Sequence, residues 1–430
     1  MYLATFEPSR KNQLMTSLFL DSTVLDGMSN VEKKNYAYKL KLINAIIEHN
    51  GMTNADICKY LHISSPKSLT LISKLIEDGI LEQNEKASSI GGRKPVLNKI
   101  KDGTLFILCV EIERFSVRMT IVDNNSKLSN TATYPFLLSS DSESVSSLNR
   151  YIEDYIDTLE VTWNQIIGIG ISMPGLIHVK EGINYTYMVR STGEPSIRER
   201  VSSHFQKPVT IINDVKAAAI AELKFGLAKN RKDVLVILMD WGIGLGVIMD
   251  GQLRNGSSGF SGEIGHIPFV EDGALCYCGK KGCLETVASG IALAKMAKEG
   301  ILSGQDSLLN RLSDREIENI EPQLVINAAN QGDQYAISIL SDLGEKLGKG
   351  IATLIQLFNP ELVILGGKIA KAKEYITIPI QQSINTYCMQ PIRDNMKIEL
   401  SQLGSGAGAM GTARVFLNQL FDEHIAYLDK

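Results

Sequence analysis

The chain has 430 residues, of which 44% are hydrophobic and 21% charged, and its formal net charge is -4. This length is too great for one ordinary hydrophobic core, so we expect several packed units. The sequence contains neither a run of about 18 apolar residues nor a charged leader followed by an apolar stretch. We therefore expect a cytoplasmic protein with no membrane partner.

Charge is distributed unevenly along the chain. Between Lys33 and Lys101 there are twelve Lys and Arg against six Asp and Glu, so the remainder of the chain is acidic. A basic module attached to an acidic body favours a polyanionic partner for the basic part alone, although a charged face is more often simply solvated. Residues 1–32 carry no interpretable motif, and we treat them as an N-terminal extension.

Residues 33–101 have the pattern of a winged helix-turn-helix domain. Apolar spacing predicts a first helix from Lys39 to Asn50, followed by a short helix capped by Thr53. After a tight turn, Ser65 is a good cap and Pro66 fits the first turn of a third helix. In a helix-turn-helix domain this last helix enters the major groove of DNA.

The third helix has two predicted faces. Its inward residues are expected to be Leu69, Ile72, Leu75 and Ile76. Its expected DNA contacts are Ser65, Lys67, Ser68, Thr70 and Lys74. On the helices alone, a three-helix bundle without any role in nucleic-acid binding is an open alternative.

A wing follows the helices. Strands predicted at Ile80–Gln83 and Val96–Ile100 form a hairpin whose tip contains the segment GGRKP at 91–95. The glycines allow the backbone to approach DNA, and Arg93 and Lys94 are expected to reach phosphates or the minor groove. The wing favours operator DNA as the partner of this domain.

The rest of the chain reads as an α/β body. Strand pairs are predicted at 105–110 with 117–122 and at 234–239 with 245–249. This repetition predicts two similar lobes around a cleft. We expect the first lobe at 102–226, completed by 405–430, and the second at 227–404.

Three cysteines lie within eight residues, which is unlike a disulfide framework. With the preceding histidine they form a tetrahedral donor set of the kind that Zn²⁺ favours: His266, Cys276, Cys278 and Cys283. Four protein ligands leave no position for water, so the predicted zinc is structural. The alternative is that these cysteines are buried free thiols.

Asn213 and Asp214 follow a predicted buried strand and precede an alanine-rich helix. The carboxyl end of a strand is a common place for site residues in α/β folds. The alternative for Asp214 is a helix cap.

The segments GEIGH at 262–266 and CYCGKKGCLE at 276–285 resemble those of the ROK family, which comprises repressors and sugar kinases. The wing segment at 91–95 resembles the regulator branch of this family. The resemblance covers the chain from Lys33 to the carboxyl-terminal helix and implies a two-lobed, actin-like (ribonuclease H-like) sugar-kinase fold. It also implies a homodimer or a higher homo-oligomer.

The resemblance implies a set of site residues as well. In kinases of the family, the residue matching Asp214 is the base that takes the proton from the sugar hydroxyl. The implied sugar-binding residues are Asn213, Asp214, Glu263, His266 and Glu285. Lys216 stands where the family commonly has a smaller polar residue, so the sugar preference stays open among N-acetylglucosamine, glucose and xylose-like ligands.

Two segments that align with the family's phosphate loops depart from the family pattern. The first normally reads DxGGT and is EIERF at 111–115, and the second normally reads GTGxG and is DWGIG at 240–244. Acidic and bulky side chains stand where bare backbone and hydroxyl donors would approach phosphate. We therefore expect no ATP binding and a vestigial base position at Asp214.

These observations favour a sugar-responsive transcription regulator, commonly a repressor in this family, that has a non-catalytic sensor domain. Two alternatives stay open. One is an ATP-dependent hexose or N-acetylhexosamine kinase, and the other is a zinc-stabilised binding protein unconnected with DNA.

Overall fold

The structure, a computed structural model, describes residues 18–20, 22–85, 96–139, 141, 144–189 and 193–428. Contacts divide these residues into two compact units. The first unit runs to Gly175 and includes Val179–Ile212 and the chain from Thr412 onward. The second comprises Leu176–His178 and Asn213–Gly411.

The first unit begins with helices and a small sheet in the order expected for a winged helix-turn-helix domain. The helices are α1 (Ser22–Asp26), α2 (Asn30–Glu48), α3 (Asn54–Leu61) and α4 (Ser65–Glu77). The strands are β1 (Met52–Thr53), β2 (Leu81–Glu85) and β3 (Val96–Ile100), in the antiparallel order β1-β3-β2. Asn98, buried in β3, donates to the Met52 carbonyl at 3.0 Å and thereby helps hold the sheet together.

Helix α2 begins earlier than the predicted Lys39. Ser29 and Glu32 form a capping box, in which the Ser29 hydroxyl accepts from the Glu32 amide and the Glu32 carboxylate accepts from the Ser29 amide. Part of the predicted extension is therefore folded. Leu18 is buried, and its carbonyl accepts a hydrogen bond of 2.7 Å from the Tyr36 hydroxyl.

Ser64, and not the predicted Ser65, occupies the N-cap position of helix α4, and its side chain forms no capping hydrogen bond. The buried side of the helix also differs from the predicted one. Leu69 and Ile76, both predicted to lie inward, are 49% and 37% exposed, while Ile72 and Leu75 are buried as predicted. The prediction was wrong for Leu69 and Ile76 because the inner side of the helix is formed by the neighbouring stripe Ser68, Ile72 and Leu75.

The first unit continues with a five-stranded sheet in the order β6-β5-β4-β7-β10. Its strands are β4 (Phe106–Ile112), β5 (Ser116–Asp123), β6 (Leu128–Pro135), β7 (Ile166–Met173) and β10 (Val209–Asn213). The short strand β9 (Ile183–Asn184) and helices α5 (Ser144–Ile156) and α6 (Ile197–Phe205) lie between these strands in the sequence, while the short strand β8 (Ile177–His178) belongs to the second unit.

The carboxyl-terminal helix α15 (Ala407–Leu428) packs on β7 with its residues from Thr412 onward. A Cβ atom added at Gly170 would lie 2.7 Å from the Thr412 methyl carbon, and Phe416 occupies the space beside Gly168. These two strand glycines therefore permit the close approach of the helix.

The second unit repeats the same sheet order. Its strands are β11 (Val234–Met239), β12 (Ile243–Met249), β13 (Gln252–Leu253), β14 (Leu362–Gly366) and β15 (Lys397–Leu400), ordered β13-β12-β11-β14-β15. In both sheets the first two strands form an antiparallel hairpin and a later strand pairs in parallel with the first. The predicted duplication of the α/β pattern is thus present in the structure.

Residues alternate between the two faces of this second sheet. Leu235 and Ile237 join the large core with helices α9 (Gly290–Leu302), α11 (Pro322–Asn330), α12 (Gln334–Phe358) and α13 (Glu374–Tyr387). Val234 and Val236 face the other way, with Ala219 of α7 (Asp214–Phe225). Three short helices complete this unit: α8 (Glu285–Ala288), α10 (Asp314–Glu318) and α14 (Gln390–Arg393).

Helix α7 packs closely on β12 because both surfaces are small. Cβ atoms added at Gly244 and Gly246 would lie 2.8 Å and 2.5 Å from the Cβ atoms of Val215 and Ala219. Helix α7 belongs to the second unit, whereas the predicted lobe boundary at 226 placed it in the first.

Among the described residues, none of the helices combines the length and apolar character needed to cross a bilayer.

Candidate functional site

A cysteine loop follows the short 3₁₀ turn Ile264–His266 in the second unit. Bridges pair Pro268 with Cys283 and Leu275 with Lys281, and the Cys276 amide donates to the Lys280 carbonyl at 2.7 Å. Gly282 has a φ of +70°, and a Cβ atom there would collide with the Val270 carbonyl. Glycine at 282 therefore permits the chain to fold back on itself.

This fold brings together the four predicted metal ligands. The ligand atoms of His266, Cys276, Cys278 and Cys283 all lie within 4.8 Å of one another. The Cys278 and Cys283 sulfurs are 3.6 Å apart, and the Cys276 sulfur lies 3.5 Å from His266 Nδ1. Thiolate–zinc bonds of about 2.3 Å imply a tetrahedral sulfur–sulfur edge of about 3.8 Å, so the donor set fits a tetrahedral metal ion.

Burial raises the pKa of the Cys276 thiol to about 12 and also raises the pKa of Cys283. A metal ion that binds here must therefore displace thiol protons.

Tyr277, which was not among the predicted site residues, orients the histidine. Its hydroxyl lies 2.9 Å from His266 Nε2, while Nδ1 faces Cys276. The Tyr277 hydroxyl also lies near enough to Glu285 to lower the pKa of that carboxyl, against the larger effect of burial. Tyr277 thus connects the metal loop with Glu285, a predicted sugar-binding residue. The position of Tyr277 between two of the ligand cysteines is the feature of the sequence that could have indicated this role.

Glu285 begins helix α8 directly after the cysteine loop and is buried. Its Oε2 accepts from the Ile243 amide at 3.1 Å, while Oε1 is buried without a hydrogen-bond partner among the described residues. Cβ atoms added at Gly242 and Gly265 would lie 2.6 Å and 3.1 Å from Oε2, so both glycines make room for this carboxylate. Burial raises the pKa of Glu285 to about 7, and the charges of Glu263 and Asp214 add to this rise.

Asn213 provides the cap of helix α7, since its Oδ1 accepts from the Val215 and Lys216 amides at 3.1 Å and 3.3 Å. Asp214 is the first residue of the helix, and its Oδ1 accepts from the Val215 amide at 2.8 Å. The pKa of Glu263 is raised by partial loss of solvent around its carboxyl, and the charge of Asp214 adds to this rise although Glu263 is exposed. Asp214, Glu263 and Glu285 are therefore near enough for their charges to influence one another.

At both segments that depart from the phosphate-loop pattern, the substituted residues form hydrogen bonds with neighbouring parts of the chain. Glu111 in β4 accepts from Arg118 Nε at 2.9 Å and from Nη2 at 3.0 Å, within the first unit. In the second unit, the Asp240 carbonyl accepts from the Gly290 amide at 2.8 Å and the Trp241 carbonyl from the Ile291 amide at 3.1 Å. Backbone oxygens of this loop therefore satisfy amides at the start of helix α9.

The predicted DNA contacts on α4 are only partly exposed. Thr70 and Lys74 face solvent, and the Lys67 ammonium lies 3.7 Å from the centre of the Tyr38 ring. The Ser65 hydroxyl is on the surface and accepts from Asn54 at 2.9 Å. Ser68 is 0% exposed, so its prediction as a DNA contact was wrong: it packs on the inner side of the helix. Arg93 and Lys94 lie outside the described residues.

Comparison with known proteins agrees with this architecture. A family model described as "ROK family" matches residues 107–419, and one described as "Winged helix-turn-helix DNA-binding" matches residues 37–82. The DNA-binding transcriptional dual regulator NagC of Escherichia coli (strain K12) is 29% identical over 400 residues, which cover 92% of this chain and 96% of that protein. The glucokinase of Halalkalibacterium halodurans is 33% identical over 249 residues, which cover 58% of this chain and 75% of that enzyme.

Among solved structures, a ROK family transcriptional regulator that is a homolog of the E. coli MLC protein matches with a TM-score of 0.73 and 24% identity. The match covers 94% of this chain and 100% of that one, and it confirms the predicted fold class. The first family model alone matches more than half of the sequence. The chain therefore belongs to the ROK family, and it joins the two-lobed α/β domain of that family to an N-terminal winged helix-turn-helix domain.

Proposed function

We propose that this chain is a sugar-responsive, DNA-binding transcription regulator of carbohydrate genes that acts in the cytoplasm. We propose further that it is a repressor. The observation that carries the proposal is one chain with a winged helix-turn-helix domain and a ROK domain in which the buried carboxylate of Glu285 is influenced by the charges of Asp214 and Glu263. The alignment with the regulator NagC spans 92% of the chain, whereas the alignment with a glucokinase spans 58%.

The proposed sugar site consists of Asn213, Asp214, Glu263, His266 and Glu285. Sugar hydroxyls need several acceptors and donors around them, and carboxylates form the stronger hydrogen bonds. Glu285 Oε1 supports this role because a buried oxygen without a protein partner is costly unless a ligand hydroxyl supplies the hydrogen bond. For His266 to bind sugar, its Nε2 would have to exchange the Tyr277 hydroxyl for a sugar hydroxyl.

The proposed metal is a structural Zn²⁺ held by His266, Cys276, Cys278 and Cys283. Three sulfurs and one imidazole suit zinc better than the oxygen-seeking cations. Zinc bound here supplies rigidity to the loop and no reaction chemistry, because the four protein ligands fill its tetrahedron. Since Tyr277 connects His266 with Glu285, the metal also holds the proposed sugar site in shape.

The alternative function is that of an ATP-dependent sugar kinase, which the similarity to a glucokinase and the presence of Asp214 favour. We propose that the chain is not a kinase. Glu111 forms an ion pair with Arg118 at the first phosphate loop, and Asp240 and Trp241 add a carboxylate and an indole to the second. A coupled assay for ATP consumption across a sugar panel distinguishes the two functions, since robust turnover with any hexose contradicts the proposal.

The proposed partner is a two-fold operator bound by a homodimer or a larger homo-oligomer, each chain presenting α4 to a major groove. A mobility-shift assay in moderate salt, using DNA from upstream of the chain's own gene, tests DNA recognition. Specific binding that survives competition by unrelated DNA supports the proposal. A chain that does not prefer this DNA to unrelated DNA would favour the remaining alternative, a zinc-stabilised binding protein unconnected with DNA, over a regulator.

A further inference from the structure

The first unit contains a groove with a basic lining, called the α2 groove below. Helix α2, the end of α3 and the last turns of α15 line it, and its volume is about 860 Å³. None of the described residues that line it is acidic. Its charged and aromatic lining residues are Lys33, Lys34, Lys41, Tyr38, Tyr60 and Tyr427.

The spacing of residues along α2 explains why these side chains meet. Lys34, Tyr38 and Lys41 follow one another at intervals of four and three residues, so they lie on one face of the helix. Leu40 and Ile43 lie on another face and are buried. The amphipathic pattern that anchors α2 in its domain therefore presents the lysines to the groove.

The acidic residues of α2 are engaged elsewhere. Glu32 completes the capping box at the start of the helix, and Glu48 forms an ion pair with Arg414. Lys33 and Lys34 take part in no ion pair with any residue that the structure describes. Their positive charges are therefore available to an anion from outside the chain.

The α2 groove adjoins the start of α4, the proposed recognition helix. The ring of Tyr38 lines the groove, and the Lys67 ammonium, in the first turn of α4, lies 3.7 Å from the centre of that ring. Leu61 at the end of α3 also lines the groove, and only the turn at 62–64 separates it from α4. The groove and the start of α4 thus belong to one surface.

The charge of the α2 groove favours a polyanion as its occupant. Residues 1–17 of the chain carry two basic side chains against one acidic, so they offer no complementary charge. DNA does, since lysine side chains bind its phosphates and release counterions. Tyrosine hydroxyls, here those of Tyr38 and Tyr60, also donate hydrogen bonds to phosphate oxygens.

We propose that the α2 groove binds the phosphate backbone of DNA beside the base pairs that α4 contacts, through Lys33, Lys34 and Lys41. The inference rests on the proposed DNA-binding function and extends the contact surface beyond α4 and the wing. Phosphates carry no sequence information, so a groove with this role strengthens binding to every DNA sequence alike.

The test compares the salt dependence of DNA binding by the full chain and by the double variant Lys33→Gln with Lys34→Gln. Fluorescence anisotropy measures the dissociation constant at several salt concentrations for two labelled duplexes of equal length, one from upstream of the chain's own gene and one unrelated. Lys33→Arg with Lys34→Arg keeps both charges. Lys229→Gln with Lys232→Gln removes two exposed lysines of the second unit and is the matched control.

We expect the Lys33→Gln, Lys34→Gln variant to bind both duplexes with a slope of log affinity against log salt concentration that is smaller in magnitude by about 1.8. Each lost phosphate contact accounts for about 0.9 of this change. At a salt concentration of about 0.15 M, its affinity for both duplexes should fall at least tenfold. The arginine variant and the control should bind as the wild type does, and circular dichroism and melting temperatures establish that all variants are folded.

An unchanged slope in the glutamine variant, or an equal change in the control, overturns the inference and leaves DNA recognition by α4 standing. Weakening confined to the upstream duplex overturns it as well, because backbone contacts act on both. The α2 groove would then be assigned to an acidic protein partner or to none. A wild-type chain that binds neither duplex contradicts the proposed function itself, and the inference with it.

Discussion

Arg414 of the carboxyl-terminal helix α15 forms an ion pair with Glu48, the last residue of α2 in the winged helix-turn-helix domain. The guanidinium is almost fully buried, and this burial lowers the pKa of Arg414 to about 10. A second contact lies near the other end of the same helix, where the Tyr427 hydroxyl donates to Asp26 of α1 at 2.7 Å. The end of α15 is thus bonded to the helices that carry the DNA-binding domain.

Glu48→Gln should destabilise this unit, because it leaves the buried Arg414 charge without its counter-ion. We expect a loss of about 2 kcal/mol, since Glu48 is partly exposed and water replaces some of the lost interaction. In a unit of this size, that loss lowers the melting temperature by about 4 °C. Differential scanning fluorimetry measures the shift.

Two variants serve as controls for that experiment. Glu77→Gln removes an exposed carboxylate of the same domain and should change the melting temperature little. The double variant Glu48→Gln with Arg414→Met should recover part of the loss, because it removes the unpaired buried charge. A Glu48→Gln protein as stable as the wild type would show that the ion pair contributes nothing.

Removal of the metal should loosen both the cysteine loop and the sugar site. We expect one zinc ion per chain in the wild type and none in Cys276→Ser, with a melting temperature lower by at least about 5 °C. Sugar affinity should fall as well, because Tyr277 connects His266 with Glu285. Plasma mass spectrometry and calorimetry provide the measurements.

Cys388→Ser is the matched control for the metal site, since Cys388 is also buried but lies outside the four-residue cluster. It should keep its zinc and its sugar affinity. Full zinc occupancy in Cys276→Ser would contradict the assignment of the ligands.

Ser68→Ala should leave operator binding unchanged, because this side chain is fully buried. Its hydroxyl also has no hydrogen-bond partner among the described residues, so the alanine protein should be as stable as the wild type or more stable by up to about 1 kcal/mol. Fluorescence anisotropy with labelled operator and urea unfolding measure the two quantities. Weaker operator binding by Ser68→Ala would show that the inward assignment of Ser68 is incorrect.

Lys74→Ala and Arg93→Ala should weaken DNA binding, in contrast with Ser68→Ala. If each removes one phosphate contact, the slope of log affinity against log salt concentration should decrease in magnitude by about 1. Both variants should bind sugar with the affinity of the wild type. An unchanged slope in both would mean that neither side chain contacts the DNA backbone.

Much of this structure follows from sequence pattern. The capping box at Thr53 and Asp56 and the repeated strand hairpins are set by neighbouring residues, and they occur where the pattern places them. The four ligands of the cysteine loop are also predictable, because a metal imposes one geometry on a short segment.

What the pattern did not predict depends on contacts between distant residues. Ser68 displaces Leu69 from the inner side of α4, although hydrophobicity favours the opposite. Arg414 finds Glu48 across 366 residues of sequence, and Lys216 finds the Gly259 carbonyl across 43. Helical periodicity and local motifs contain no information about such pairs, which only the assembled core determines.

Operator affinity with and without sugar tests the central claim most directly. Fluorescence anisotropy at one fixed salt concentration, with each sugar of a panel added in turn, should show at least one that changes the dissociation constant for operator DNA tenfold or more. Asp214→Ala should bind the operator normally and lose that response, because the sugar site is impaired and the DNA-binding domain is intact. A wild-type protein whose operator affinity is the same with every sugar as without would contradict sugar-responsive regulation.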